Sequence, residues 1–139
     1  MSRADPNLMN ALGQQRVVSL GDGRAAIEFL AGMHMCHSGG VVQGGFITGW
    51  IDAAMAHAVM DATGGEMTPM SLELKVSFFA PTRPGLAIAE AWIVQSGRST
   101  CFVEGHLLDP EGKLLAKASS TIRLIPRAKV EAQTKAALS

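Results

Sequence analysis

The residues best suited to chemistry gather in one stretch, His37-Ser38-Gly39-Gly40-Val41-Val42-Gln43-Gly44-Gly45-Phe46, with an acid, Asp52, shortly beyond it. Four glycines fall within the seven residues 39–45, just ahead of a helical composition. Glycine lets another backbone or a ligand approach closely, and the first N–H groups of a helix have no partner inside it. At the positive end of the helix dipole such groups suit an oxyanion or a polarised carbonyl oxygen. The same glycines would serve equally to pack a loop tightly against a sheet. Asp52 shifts the weight toward chemistry. It stands eight residues after Gly44, a little over two helical turns, among Trp50, Ile51, Ala53, Ala54 and Met55. An acid in those surroundings loses solvation and is costly unless paired, bound or used. The structural alternative is an Asp that caps nearby backbone or pairs with a strand arginine.

Other reactive side chains carry less. Asp61 is nine residues past Asp52, on the opposite helix face near the end, and reads as structural or solvated. His57 precedes it by four, the spacing of a local His/Asp contact. His34, Cys36 and His37 are close in sequence, but His-x-Cys-His lacks the ligand spacing of a structural zinc site, and no second cluster accompanies it. No metal is expected. Cys36 and Cys101 read as packing residues, and His106 as a surface or satisfied histidine.

These residues need elements to position them. Residues 7–15 carry Leu8, Met9 and Leu12 at helical spacing and form a cap over something larger. Two strands follow at 16–20 and 25–30, joined by Gly21-Asp22-Gly23, whose Asp-Gly favours positive φ and a tight hairpin. The pattern breaks at Gly32. Residues 44–63 have no proline, many Ala and Met, and Gly64-Gly65 just past the end, which predicts one long helix with its stop. Then the period changes to two: Leu72, Leu74, Val76 and Phe78 alternate with Ser71, Glu73, Lys75 and Ser77. Strands at 86–94, 99–108 and 114–125 follow, separated by turn residues, and the short connections predict that these four strands pair antiparallel as a meander. A helix apolar nearly all round must be surrounded. The order of two strands, buried helix and four strands therefore predicts an α+β domain in which a curved sheet wraps the helix, over residues 1–126. Residues 127–139 form an Ala/Lys/Gln tail, a frayed helix or disordered. Open sheet edges of this kind predict pairing between copies, a dimer at least.

Composition narrows the partners. The chain has 139 residues, room for one domain, with 47% hydrophobic residues and 12 basic against 12 acidic side chains. Without a basic surplus or a clustered basic run, a nucleic-acid surface is not expected. The longest apolar stretch, 46–62, is interrupted by Asp52, His57 and Asp61, too polar for a bilayer span. Two cysteines, eight methionines and an N-terminus without an apolar leader predict a cytoplasmic protein.

The run Gly40-Val41-Val42-Gln43-Gly44-Gly45, the acid at Asp52, and the later Phe78-Phe79-Ala80-Pro81-Thr82-Arg83-Pro84-Gly85 together resemble the acyl-CoA thioesterases of the hotdog superfamily, in the phenylacetate-pathway (PaaI-type) branch. The resemblance spans roughly residues 32–125. It implies the hotdog fold, a curved antiparallel sheet around one long helix. It further implies hydrolysis of an acyl-CoA to free acid and CoA by a homodimer or dimer of dimers, a homotetramer, with no cofactor beyond the CoA of the substrate. Gly44 N–H would polarise the thioester carbonyl and Asp52 would act as nucleophile or general base, the two from opposite subunits. Ser71 matches a position where some members hold the attacking water. The chain departs from the family pattern in having His37 where Asn or Gln is common and Gln43 where His precedes Gly-Gly. His37 and Gln43 are then expected to orient the thioester. Gly45 and the turn Gly97-Arg98-Ser99 would meet the CoA moiety, Arg98 as a fork on phosphate, with Arg123, Arg127 and Lys129 as weaker candidates. Phe46, Trp50 and Met55 hint at an aromatic or medium-chain acyl group, or belong to the core. Two other classes share the fold. A hydratase is disfavoured by the absence of a His-Phe-Pro-type run, and a non-catalytic acyl-CoA-binding protein is mildly disfavoured by Asp52.

Overall fold

The computed structural model describes residues 6–138. In chain order it contains α1 (Pro6–Ala11), β1 (Gln14–Gly21), β2 (Arg24–Ala31), the two-residue strands β3 (Cys36–His37) and β4 (Val41–Val42), and α2 (Gly44–Ala62). After α2 come β5 (Met67–Phe78), β6 (Gly85–Ser96), β7 (Thr100–Leu108), β8 (Leu114–Pro126) and α3 (Arg127–Leu138). The six long strands make one antiparallel sheet in the order β1-β2-β6-β7-β8-β5, with β3 and β4 paired apart from it, so the expected meander holds for β6-β7-β8 while β5 crosses to the edge beside β8 and β2 takes the place next to β6.

Helix α2 organises the rest. Its buried residues, Ile47, Trp50, Ile51, Ala53, Ala54, Met55, His57, Ala58 and Val59, cover about two-thirds of its circumference, and the remaining face, with Thr48, Gly49, Asp52, Ala56 and Met60, is half-buried. It touches all six strands of the sheet. A flat sheet of six strands at about 4.8 Å spacing is too wide for one helix to reach across, so the sheet curves around it. Small residues make the close approach feasible: Ala87, Ala89 and Ala91 on β6, Gly105 on β7, and Ala116 and Ala118 on β8 are buried. A Cβ on Gly105 would lie 2.8 Å from Glu90 O and 2.9 Å from Ile51 Cγ2. At one end the Trp50 ring stacks on Phe29 with centroids 5.6 Å apart, and its Nε1 donates to Leu12 O at 2.7 Å, tying the end of the α1 segment to the helix.

The expected punctuation is present. Asp22 and Gly23 take φ of 55° and 72° in the β1–β2 hairpin, and α2 ends where the Gly65 N–H donates to Met60 O at 2.9 Å. The first helix is shorter than the 7–15 of the sequence reading, because Gln14 already pairs with Phe29. The His57–Asp61 contact is not formed. His57 is buried and its Nδ1 donates to Ala53 O at 2.8 Å, one turn back, while Asp61 is exposed. The tail is helical over α3, where Arg127 pairs with Glu131 at 3.1 Å. Cys101 is buried, and burial pushes its thiol up from the ordinary range against a smaller opposing effect of Ser96. Among the described residues no helix is long and apolar enough to cross a membrane.

Strand β5 departs from plain alternation. Its register against β8 shifts between Ser71, opposite Ile122, and Glu73, opposite Thr121, so Leu72 is an extra residue in a bulge. One inserted residue reverses the parity of everything before it. Ser71, expected on the polar face, therefore shares the α2-facing side with Leu74 and Val76, whereas Leu72 is 62% exposed.

Because Gly105 has helix on one side and backbone on the other, Gly105→Ala should overpack the interior and cost about 1–3 kcal/mol. Urea unfolding should show a lower midpoint with an unchanged slope, and a midpoint equal to wild type would mean that the helix does not rest on β7 as described.

Candidate functional site

Two polar arrangements lie on α2, one at its start and one in its middle. At the start, Gln43 is the N-cap, and its Oε1 accepts from the Gly45 N–H at 2.8 Å. A Cβ on Gly45 would sit 2.7 Å from that oxygen, so the cap needs glycine there. The Gly44 N–H makes no hydrogen bond among the described residues. It is an open donor at the positive end of a 19-residue helix. A Cβ on Gly44 would stand 3.1 Å from Phe78 Cζ, which puts the Phe78 ring against the same helix turn.

The segment leading into α2 is held by three bonds. Val42 N–H donates to Thr82 O at 2.9 Å, Gln43 N–H to Met35 O at 2.9 Å, and Arg83 Nη1 to Gly39 O at 2.8 Å. Gly39 and Gly40 take φ of 78° and 69°, left-handed values that favour glycine. This geometry leaves a cleft of about 440 Å³ bordered by His37, Gly44, Ile47, Val41 and Val42 on one side and by Phe78 to Thr82 on the other. Its polar contributions are few and its walls apolar, the usual make-up of a small-molecule site.

Mid-helix, the half-buried Asp52 accepts through Oδ1 from Ser71 Oγ at 2.9 Å. The bulge in β5 is what brings that hydroxyl to this side of the strand. Asp52 therefore meets a hydroxyl rather than an arginine or a backbone cap. Eight residues at 1.5 Å each separate it from Gly44 by about 12 Å along the helix. Within one chain the structure thus brings together His37, Gly44 and the Gln43 cap, and separately Asp52 with Ser71.

The turn Gly97-Arg98-Ser99 joins β6 to β7, closed by Gly97 N–H to Thr100 O at 2.7 Å and by Leu124 N–H to Ser99 O at 2.8 Å. Thr100 pairs with Arg123, which pairs with Met70, so the turn lies two strands, about 10 Å, from the Ser71 end of β5. Arg98 is exposed, and so is Arg123, while Arg127 is engaged with Glu131. Trp50 and Met55 are fully buried, so of the three side chains suggested as acyl lining they belong to the core, and Phe46 is half-buried against it. The aromatic wall of the cleft is Phe78 and Phe79, at 52% and 58% exposure. Their signal in the sequence is the adjacent pair of phenylalanines that interrupts the alternation two residues before Pro81. Cys36 Sγ donates to Gly32 O at 3.6 Å, and among the described residues no three metal-binding side chains gather. His106 pairs with Glu90 at 2.7 Å on the outer face of the sheet.

Comparison with known proteins meets this geometry from the other side. A sequence model of the thioesterase superfamily matches residues 39–116, from Gly39 to the β8 residue beside Phe78. A protein of Saccharolobus solfataricus named as a candidate esterase is 31% identical over 118 residues, 85% of this chain and 83% of its own length. A candidate thioesterase of Ralstonia eutropha, described as related to phenylacetic acid degradation, shares 27% identity with a TM-score of 0.80, covering 86% of this chain and 91% of that one. A mutant form of the phenylacetic acid degradation protein PaaI of Thermus thermophilus shares 28% identity with a TM-score of 0.75, over 84% and 97% of the two chains. The chain belongs to the thioesterase superfamily, in its PaaI-type hotdog branch, and is a thioester hydrolase.

Proposed function

We propose that the protein hydrolyses an acyl-CoA to the free acid and CoA, and that it does so as a homodimer or a dimer of dimers. The observation that carries the reading is the unpaired Gly44 N–H at the positive end of α2, bordering an apolar cleft beside His37. That donor stabilises negative charge on the carbonyl oxygen as the tetrahedral intermediate forms. Asp52 supplies the nucleophile, either its own carboxylate oxygen or a water whose proton it accepts. The intermediate then expels the CoA thiolate as the C–S bond breaks, and the thiolate takes up a proton; attack by water leaves the free acid directly, whereas attack by the carboxylate leaves a mixed anhydride that a water hydrolyses to the acid and the free Asp52 carboxylate.

A separation of about 12 Å keeps Gly44 and Asp52 of one chain from meeting at one carbonyl. The Gly44 of one copy and the Asp52 of another therefore make the pair. Strand β5 favours such an assembly, because it is a sheet edge whose Met70, Leu72 and Phe78 are all exposed. His37 and the Gln43 amide nitrogen orient the thioester, while Ser71 holds Asp52 and the attacking water. Gly97, Arg98 and Ser99 receive the CoA phosphates and arm near the Asp52 end, and Gly45 contributes by seating the Gln43 cap. The Phe78 and Phe79 wall supports an aromatic or medium-chain acyl group. Two free cysteines agree with a reducing, cytoplasmic setting.

Asp52→Asn should lower kcat on the best acyl-CoA by about 10²–10⁴-fold while the circular dichroism and melting curve stay those of the wild type. Thiol release is the measurement, and survival of activity would sink the mechanism. Gln43→Ala should cost about 1 kcal/mol of stability through the lost cap. The same variant should raise KM if its amide orients the thioester, and a KM equal to wild type would confine Gln43 to capping.

A further inference from the structure

Thr82 has a feature that the hydrolytic reading leaves unused. It lies in the connection between β5 and β6 and borders the cleft beside His37 and Gly44. Its main chain is fixed, since its carbonyl oxygen accepts from the Val42 N–H at 2.9 Å. Its side chain is 2% exposed, and Oγ1 is buried without a hydrogen-bond partner among the described residues. A buried hydroxyl left unpaired is destabilising, and in a native fold it calls for a physical reason. No structural element supplies one here. The neighbouring wall is hydrocarbon, from Val41, Ile47, Phe78 and Pro81. In a pocket so lined, a single well-placed polar group decides how a ligand lies.

We propose that Thr82 is a substrate-binding residue, its hydroxyl turned to the cleft by rotation about χ1 and hydrogen-bonded to a neutral polar group close to the thioester. The inference rests on the acyl-CoA reading above and adds a contact to it. Gly44 N–H takes the carbonyl oxygen, and Thr82 takes the next polar group along the ligand. Two parts of the substrate offer that chemistry. One is the first amide of the CoA arm, two methylenes beyond the sulfur. The other is a hydroxyl on the β-carbon of the acyl chain. A threonine hydroxyl both donates and accepts, so it fits either.

Thr82→Val is isosteric and removes only the hydroxyl, and Thr82→Ser keeps it. Kinetics on hexanoyl-CoA, 3-hydroxyhexanoyl-CoA and S-ethyl hexanethioate separate the two sources. If the amide is the partner, Thr82→Val raises KM roughly tenfold on both CoA esters with kcat kept, and leaves the ethyl ester unchanged. If the acyl hydroxyl is the partner, only 3-hydroxyhexanoyl-CoA suffers. In either case Thr82→Ser restores KM, and the ligand-free Thr82→Val protein melts at or above the wild-type temperature, because no bond is lost. Wild-type KM for Thr82→Val on all three esters overturns the proposal. So does a lowered melting temperature that Thr82→Ser restores, which would make the hydroxyl structural. Should the wild type hydrolyse neither CoA ester and no aromatic acyl-CoA such as benzoyl-CoA, the acyl-CoA reading fails by itself. Calorimetry with the thioethers S-hexyl-CoA and S-(3-hydroxyhexyl)-CoA then decides the inference separately. Roughly tenfold weaker binding of either by Thr82→Val supports the contact, and equal binding of both overturns it.

Discussion

A helix that is apolar over most of its circumference is the constraint on which this structure depends. Buried residues cover about two-thirds of the way round α2, so it is stable only when the sheet closes around it and leaves a single half-buried face, the one that carries Thr48 and Asp52. Closure demands small side chains where strand and helix come nearest, and Ala89, Ala91, Gly105, Ala116 and Ala118 meet that demand. The two polar assets of the helix lie where the sheet does not cover it, at its first turn and on its half-buried face. The Gly44 N–H emerges at the open end beside the cleft, and Asp52 reaches the β5 edge where Ser71 waits. The scaffold thus places an electrophile stabiliser and an acid on one rigid rod, and their spacing is as fixed as the helix rise.

The start of the helix shows how few atoms set its chemistry. Of the first N–H groups, one is consumed by the Gln43 side chain and one is left open. Gly45 permits the cap and Gly44 permits the Phe78 ring, so each glycine answers to a different neighbour. Substituting either would move a different group: the carboxamide in one case, an aromatic ring in the other.

Much of this is legible in the sequence, for identifiable reasons. The helix over 44–63 is declared by composition and by Gly64-Gly65, and the first hairpin by Asp22-Gly23, because both rest on local backbone preferences. Asp52 stands out because an acid amid apolar residues is expensive. The bulge at Leu72 leaves no such local mark, since it is settled by pairing with β8, and an unbroken alternation conceals it. Trp50 and Met55 could not be told from cleft lining by type, and it is their complete burial, with the Trp50 ring stacked on Phe29 and bonded to Leu12 O, that assigns them to the core. His57 bonds backward to Ala53 rather than forward to Asp61, because its ring is buried and Asp61 lies in water. The cleft itself is assembled from the β3–β4 segment and the β5–β6 connection, distant in sequence and irregular in conformation.

The extra residue in β5 has a consequence for how this strand can change over generations. Ser71 and Phe78 serve different ends of the same helix, and both must point toward it. Seven positions apart, they would fall on opposite faces of a regular strand, and the odd count at Leu72 brings them to the same one. While the bulge stays, length variation between them obeys a parity rule: a further single deletion or insertion turns one partner outward and changes by pairs preserve both, whereas loss of Leu72 itself leaves a plain alternating strand with both still on the helix side. What the strand must keep is agreement between its residue count and its bulge, so a single-residue change in length is accommodated only where it also removes or adds a bulge.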